Sequence, residues 1–579
     1  MANNSTLLTL PIQALDSSCC FTCTEAGLAI WLETLPLANP EQAGRQLHDA
    51  LAELHQVHLS PGPRMALLEQ LRRTVQRVST ALTSRFNKQS SAPVQQLTQL
   101  ILTLPQQLTT GYQLVAAHSL SLDGTQTLDI ALAVLSLHRA CSELTLMLQR
   151  HQQCYQLAPA GAWLTLHQLY AMGRQQQLHR LLPADDSHSC LETVYIGALL
   201  CACAKPNQLR QDDFISLHQQ LTSFAKHCRI TTGDEKALFT LNPQADSPPA
   251  YRQLSDPQHH WLDLDTEALA EQLRGQLRQP QSELLTSPDL LKHLLLCWGG
   301  ISTRNFMRHQ GQEDLDLCVG LSAVHHYLSG EQPFAQQLQL RDDKIFTGER
   351  ENLFLKVQQS ARRSKNISGS RYQNHSDLVE IELKPFDEQL QDTAPAQQQP
   401  SVFKRHRLGS INTSAQGFCL LWPRQNSVAL KTGDIVGINV GNAQAWNIAV
   451  IRWLEHGVSN SRFGLQLISP SAVPYAARPI KKKAVQADYM RALLLPELAT
   501  VGRPACLLTP TIAFVEGQRV MLNQHGRKVQ VDLGKKLNQQ GAYQLFTVTR
   551  RGVGQVTPRQ PSDDPAQHQR DDAFDTLWL

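Results

Sequence analysis

The sequence predicts a multidomain α+β protein, in which a mostly α-helical N-terminal region, a bundle or an irregular solenoid, is followed by a β-barrel and a second small β-rich domain. Three observations predict it. At 579 residues the chain is too long for one hydrophobic core. Apolar residues recur at helical spacing through about residue 335. Beyond residue 400 the pattern changes to short runs of Val, Ile, Leu, Phe and Trp parted by Gly, Asn and charged turns. The expected division is a helical region over 1–335, as one unit or two subdomains, and a polar linker over 336–400. A first barrel over 401–480, a second β domain over 490–555 and an acidic tail with an apolar end over 556–579 complete it.

In the helical region Asn39-Pro40 starts a helix with Leu47, Leu51 and Leu54 on one face. Pro63 starts another whose stripe is Leu67, Leu71, Val75, Val78 and Leu82, with Arg72, Arg73 and Arg77 off the stripe on a solvated face. Further periodic runs cover 94–108, 125–157, 161–182, 190–204, 212–230 and 288–309. Trp163, Leu166 and Tyr170 match the opening of a tetratricopeptide helix, but His167 occupies its small-residue position, which leaves a diverged helical hairpin. The region offers a large surface for docking another protein.

From Arg341 to Pro400 the chain is charged and polar and ends in APAQQQP, a linker or long loop with one local strand expected at Leu378 to Leu383. Then comes KRHRLGSINTSAQGFCLLWP, Lys404 to Pro423, which sets Asn412, Ser414 and Gly417 in an N-x-S-x-x-G turn leading into an apolar strand. Asn412 and Ser414 offer short side chains with donors and acceptors that suit the polar edge of a purine. Gly417 permits a close backbone approach. The runs LKTGDIVGINV, AWNIAVIRWLEH and RFGLQLISP supply further barrel strands.

With that motif and strand order the segment resembles a PilZ domain, the receptor module for cyclic di-GMP. The resemblance implies that Asn412, Ser414 and Gly417 contact guanine. It also implies an R-x-x-x-R pair in the loop before the first strand, whose guanidinium groups clamp phosphates and stack on or fork toward guanine. Between Arg341 and Ser414 no two arginines stand four apart. Arg362-Arg363 and the cluster Lys404, Arg405, Arg407 are the candidates there, with Lys365 and Arg371 beside the first pair. The spacing does occur at Arg73 and Arg77, Arg274 and Arg278, and Arg304 and Arg308, where it reads as neighbours on a helix face far upstream of the barrel; Arg304 and Arg308 are the least remote, which leaves a folded-back contact open to them.

After the solvated run Lys481-Lys482-Lys483, turn glycines Gly517, Gly526 and Gly534 punctuate the second β domain. The tail ends with Phe574, Leu577, Trp578 and Leu579 beside Asp571, Asp572 and Asp575. That composition suits helix-in-groove docking, on the chain's own domain or on an external partner.

Composition and motifs exclude several classes. A net charge of +3 with 18% charged residues is too balanced for a nucleic-acid binder. The start MANNSTLLTLPIQ lacks a charged n-region and a long apolar h-region. The longest apolar block, Tyr195 to Ala204, is about half a bilayer span, so the expectation is a soluble, cytoplasmic protein without a membrane span. The 13 cysteines read as reduced, buried thiols. Cys19, Cys20 and Cys23 lack further ligands for zinc, as do His259-His260 and His325-His326, so no metal or cofactor is expected. No phosphate loop, nucleophile elbow, zinc-protease helix or dinucleotide fingerprint marks an enzyme. Two readings remain: a cyclic di-GMP effector in motility, attachment or biofilm signalling, favoured by the intact N-x-S-x-x-G, and a degenerate scaffold acting only through protein contacts, favoured by the missing arginine pair.

Overall fold

The computed structural model describes residues 8–17, 20–86, 94–120, 128–184, 188–234, 236–252, 261–279, 286–300, 309–310, 314–338, 403–414, 416–423, 428–440, 446–457, 460–480, 488–498, 502–540 and 543–550. The helical part comprises α1 (Glu25–Glu33), α2 (Pro40–Gln56), α3 (Pro61–Phe86), α4 (Val94–Leu120), α5 (Ile130–Gln153), α6 (Ala162–Gln175), α7 (Leu191–Cys203) and α8 (Gln211–Ala225). Side chains set several starts. Thr24, Asn39 and Asp129 accept from the backbone N–H groups of Gly27, Gln42 and Leu132, satisfying donors that no helical carbonyl reaches. The predicted α3 stripe is buried, and Arg73 and Arg77 are exposed as expected. Arg72 departs from its solvated-face reading, since its Nε donates to the buried Glu143 across 2.7 Å. The α5 helix is long and apolar enough to cross a membrane, yet two thirds of its apolar window, 67%, is buried among its neighbours.

The expectation of helices throughout 1–335 meets two departures. The strands β1 (Arg229–Thr231), β2 (Phe239–Leu241), β3 (Ala250–Tyr251) and β4 (Leu262–Asp265) form a small antiparallel sheet ordered β1-β4-β2-β3. Strands this short carry no periodicity to read, and they are tied by buried Asp263, which accepts from Asp234 N–H and pairs with Arg252. After α9 (Glu267–Leu277) and α10 (Pro288–Trp298) the chain then enters the first barrel early, through β5 (His309–Gln310) and β6 (Asp314–Val319). Two short helices follow, α11 (Leu321–Leu328) and α12 (Phe334–Leu338). The expected strand at Leu378 to Leu383 and nearly all of the expected linker lie outside the described residues.

The first barrel continues with β7 (His406–Ser414), β8 (Gly417–Pro423), β9 (Ile435–Val440), β10 (Asn447–His456) and β11 (Asn460–Ser469). Its order is β5-β7-β6-β9-β10-β11-β8, and pairing of β7 with β8 closes the ring. Both β5 and β6 lie on the same side of β7, so together they act as one interrupted first strand. Leu315, Leu317, Leu408, Leu420, Val436, Ile438, Ala449, Ile451, Phe463 and Leu465 fill the interior. The second barrel is closed by β12 (Val473–Pro479), β13 (Met490–Leu495), β14 (Cys506–Pro510), β15 (Arg519–Gln524), β16 (Arg527–Gln540) and β17 (Tyr543–Arg550). Its first strand pairs with β13 and β15, so the boundary falls near residue 473 rather than between 480 and 490.

The parts pack on one another. Ile448 and Val450, on the outer face of β10, share a core with Leu493, Leu495, Tyr543 and Leu545 of the second barrel and with Val324 of α11. Tyr155, just beyond α5, donates its hydroxyl to Leu209 O across 2.8 Å and lies 3.0 Å from Thr432 Oγ1 of the first barrel. Its carbonyl accepts from His456 N–H at 2.7 Å. Cys20 and Cys23 form no disulfide among the described residues, and Cys19 and His259-His260 lie outside the described residues. His325 is buried, with Nε2 3.1 Å from Tyr475 O and its pKa pushed down to about 3, chiefly by desolvation. Among the described residues no cluster of His, Cys, Asp and Glu could hold a metal ion.

Candidate functional site

The N-x-S-x-x-G residues occupy the closing hairpin of the first barrel. Ser410 faces Leu420, but both Ile411 and Asn412 oppose Cys419, a β-bulge; Thr413 then faces Phe418 and Ser414 faces Gly417. The bulge decides the chemistry. In an unbroken ladder Asn412 would oppose Phe418 and point inward with Leu408 and Ser410. The extra residue instead turns Asn412 and Ser414 to the outer face, where a ligand could reach them. Ser414 Oγ donates to Gly417 O at 3.3 Å, and Leu467 N–H donates to Gln416 O at 2.8 Å, which fixes the turn against β11. A Cβ on Gly417 would run into the Leu465 carbonyl oxygen, so only glycine fits.

A row of outward positions crosses four strands from here. Asn412 faces Cys419, Cys419 faces Gly464, and Gly464 faces Trp453. A Cβ on Gly464 would collide with the Trp453 indole, so the ring lies directly on the glycine backbone. From sequence Trp453 is only a strand residue, because only the register brings it into line with Asn412. One step along, Gln466 opposes both Gly417 and Val450 and accepts from Arg452, the extra residue of a second bulge. Burial pulls the Arg452 guanidinium below its ordinary range, against the opposing effect of Tyr543. This outer face therefore offers a polar edge, a flat aromatic surface and a cation beside the second barrel.

The basic candidates are not brought together with the turn. Arg407 lies five residues before Asn412 on the same strand, about 17 Å away at the usual rise. It pairs with Asp314 at 3.5 Å, with both side chains exposed. Arg405 is farther still. It pairs with Glu331 at 2.6 Å, and its guanidinium stands 5.0 Å from the Tyr327 ring centroid. Lys404 is exposed next to it. As clamps for a ligand on Asn412 and Ser414 these three stand at the wrong end of β7. Arg362 and Arg363 lie outside the described residues.

One of the upstream arginine spacings lies next to the barrel in sequence. Arg304 and Arg308 lie outside the described residues, but Arg308 is bonded to His309, and β5 pairs His309 with Thr413 and Gln310 with Asn412. An R-x-x-x-R therefore does directly precede the first barrel strand, which begins at 309 instead of 401.

Comparison with known proteins agrees with this layout. Residues 26–236 match the family model for the N-terminal domain of cyclic-di-GMP receptor FimW, residues 238–474 that for its middle PilZ domain, and residues 475–550 that for the FimW C-terminal β-barrel domain. The cyclic-di-GMP receptor FimW of Pseudomonas aeruginosa is 32% identical over 96% of this chain and 95% of its own length. The chain belongs to the FimW family. The middle-domain match of this FimW-family chain begins well before the barrel, and it contains Arg304, Arg308, the N-x-S-x-x-G turn and Trp453. No solved structure matches the chain.

Proposed function

We propose that this chain is a cyclic di-GMP receptor, a binding protein and not an enzyme, whose first barrel takes the nucleotide on its outer face. In this reading Asn412 and Ser414 meet the polar edge of a guanine, the Gly417 backbone lets the base approach, and Trp453 supplies an aromatic surface. Arg304 and Arg308 hold phosphate. The observation that carries the reading is the bulge at Ile411, which turns both polar side chains of the motif outward beside β5, the strand that begins at the residue after Arg308 in sequence. The name of the Pseudomonas aeruginosa relative supports the ligand.

The helical region is then the output surface for a protein partner in motility, attachment or biofilm signalling, acting in the cytoplasm. Its contact with the barrel through Tyr155 gives ligand state a physical route to that surface. The test is calorimetric titration of the full chain with cyclic di-GMP, with GTP as control. Selective binding that Arg308→Ala weakens at least tenfold and Arg407→Ala leaves within about twofold is the expected result. Absence of binding in the wild-type chain would return the barrel to the role of a scaffold.

A further inference from the structure

Gln466 of β11 is a polar residue beside the N-x-S-x-x-G turn to which the proposed binding of nucleotide gives no task. It opposes Gly417 on β8 and Val450 on β10, and Ser414 in turn opposes Gly417. Leu465 fills the barrel interior and Ile468 packs against the second barrel, so alternation along β11 sends Gln466 to the outer face with Gly464 and Ile468. Ser414, Gly417 and Gln466 thus form one outward row, and the glycine sets no side chain between the two polar ends. At the usual strand spacing those ends stand about 10 Å apart, room for a flat base with a hydrogen bond on each side.

The chemistry of the two ends differs. Ser414 Oγ gives its proton to Gly417 O, which leaves it lone pairs and makes it an acceptor toward a ligand. At the other end Arg452 Nε donates to Gln466 Oε1. A guanidinium has donors only, so the amide oxygen must be the atom that faces it. The amide nitrogen is then turned away from Arg452, with two N–H donors on a partly exposed side chain. Guanine has the matching polarity: N–H donors on one edge, and on the other the acceptors O6 and N7. Adenine replaces O6 with a donor, its N6 amine.

We propose that Gln466 is a specificity-determining residue of the nucleotide site, its amide N–H groups donating to guanine O6 and N7 on the edge opposite the one that Asn412 and Ser414 meet. Arg452 is the positioning residue. It holds the amide in one sense, because an amide turned to offer its oxygen to adenine would set nitrogen against the guanidinium, donor against donor. The inference rests on the receptor reading above.

Titration of the full chain with cyclic di-GMP and with cyclic di-AMP, which carries the same phosphates, tests it. Gln466→Glu keeps an oxygen for Arg452, so melting should match or exceed wild type, but it exchanges a donor for an acceptor. Cyclic di-GMP should bind roughly tenfold more weakly or worse, while cyclic di-AMP binds at least as well as to wild type. Gln466→Ala, which removes the donor without adding charge, should weaken cyclic di-GMP about fivefold or more. Wild-type affinity for cyclic di-GMP in either variant would overturn the assignment. So would an equal loss for both nucleotides in Gln466→Glu, which is repulsion of phosphate rather than reading of a base. A wild-type chain that binds neither nucleotide removes the receptor reading itself, and this assignment with it.

Discussion

At Gly417 the structure has room for a hydrogen and nothing larger, because a methyl group would enter the space of the Leu465 carbonyl oxygen. Gly417→Ala must push β8 away from β11. The expected result is a stability loss of about 1–3 kcal/mol together with at least tenfold weaker cyclic di-GMP binding, read by thermal melting and titration on the same preparation. Ser414→Ala separates the two effects. It removes a partly exposed hydroxyl whose protein bond to Gly417 O is long at 3.3 Å, so the fold should lose no more than about 1 kcal/mol. Nucleotide affinity should fall by about 1–3 kcal/mol if the hydroxyl serves a guanine edge. These residues were legible in the sequence because turn chemistry is local: short polar side chains and a glycine at fixed spacing need no knowledge of the rest of the chain. The distance of the basic cluster from the turn was hidden for the opposite reason. Lys404, Arg405 and Arg407 are close to the motif in sequence, but an extended strand carries them away from it at about 3.3 Å per residue.

Strand register governs what the elements add. Trp453 lies 39 residues after Ser414, yet β10, β11 and β8 set it on the same outer row as Asn412, and Gly464 lets its ring lie flat. If that ring stacks on a base, Trp453→Ala should cost about 1–3 kcal/mol of binding while Trp453→Phe retains much of it. Equal affinity of wild type and Trp453→Ala for cyclic di-GMP would confine the indole to covering Gly464. The sequence disclosed β8 through β11 because each carries a run of apolar or alternating residues; β7, HRLGSINTS, carries none, and its residues read as a loop and a turn. The sequence hid the first strand, which is split into β5 and β6 and separated from β7 by α11, α12 and residues 339–402. With that strand placed upstream, Arg304 and Arg308, which lie outside the described residues, immediately precede it in sequence. A break of this size inside one barrel leaves no local signal, since hydrogen bonding between distant strands is the only thing that joins the pieces.

Across the whole molecule, the junction between helical region and first barrel contains a titrating group where a response to ligand would have to pass. Asp434 immediately precedes β9, two residues after Thr432, the threonine that Tyr155 reaches, and its carboxylate accepts from Lys431 N–H at 2.9 Å. Burial raises its pKa from 3.8 to about 6, against the lowering effects of the Lys431 backbone bond and of the Lys431 and Arg210 charges; Asp213, also raised by burial, faces the same Tyr155. The sign follows from the folded state preferring the protonated carboxyl. The stability that this preference contributes is full below about pH 3.8 and is lost as pH rises through about 6, so at neutral pH the junction holds a desolvated carboxylate. Asp434→Asn keeps an oxygen to accept from Lys431 N–H and removes that charge. It should therefore raise the first thermal transition at pH 7.5, by at most about 2–3 kcal/mol, and the gain should shrink to nothing as pH falls toward 4. Melting curves of both proteins from pH 4 to 8 measure the difference, in which groups that titrate alike in the two chains cancel. A variant less stable than wild type at pH 7.5 would mean that attraction to Arg210 outweighs desolvation. The carboxylate would then be a bond between helical region and barrel, and its protonation would loosen the contact between the two.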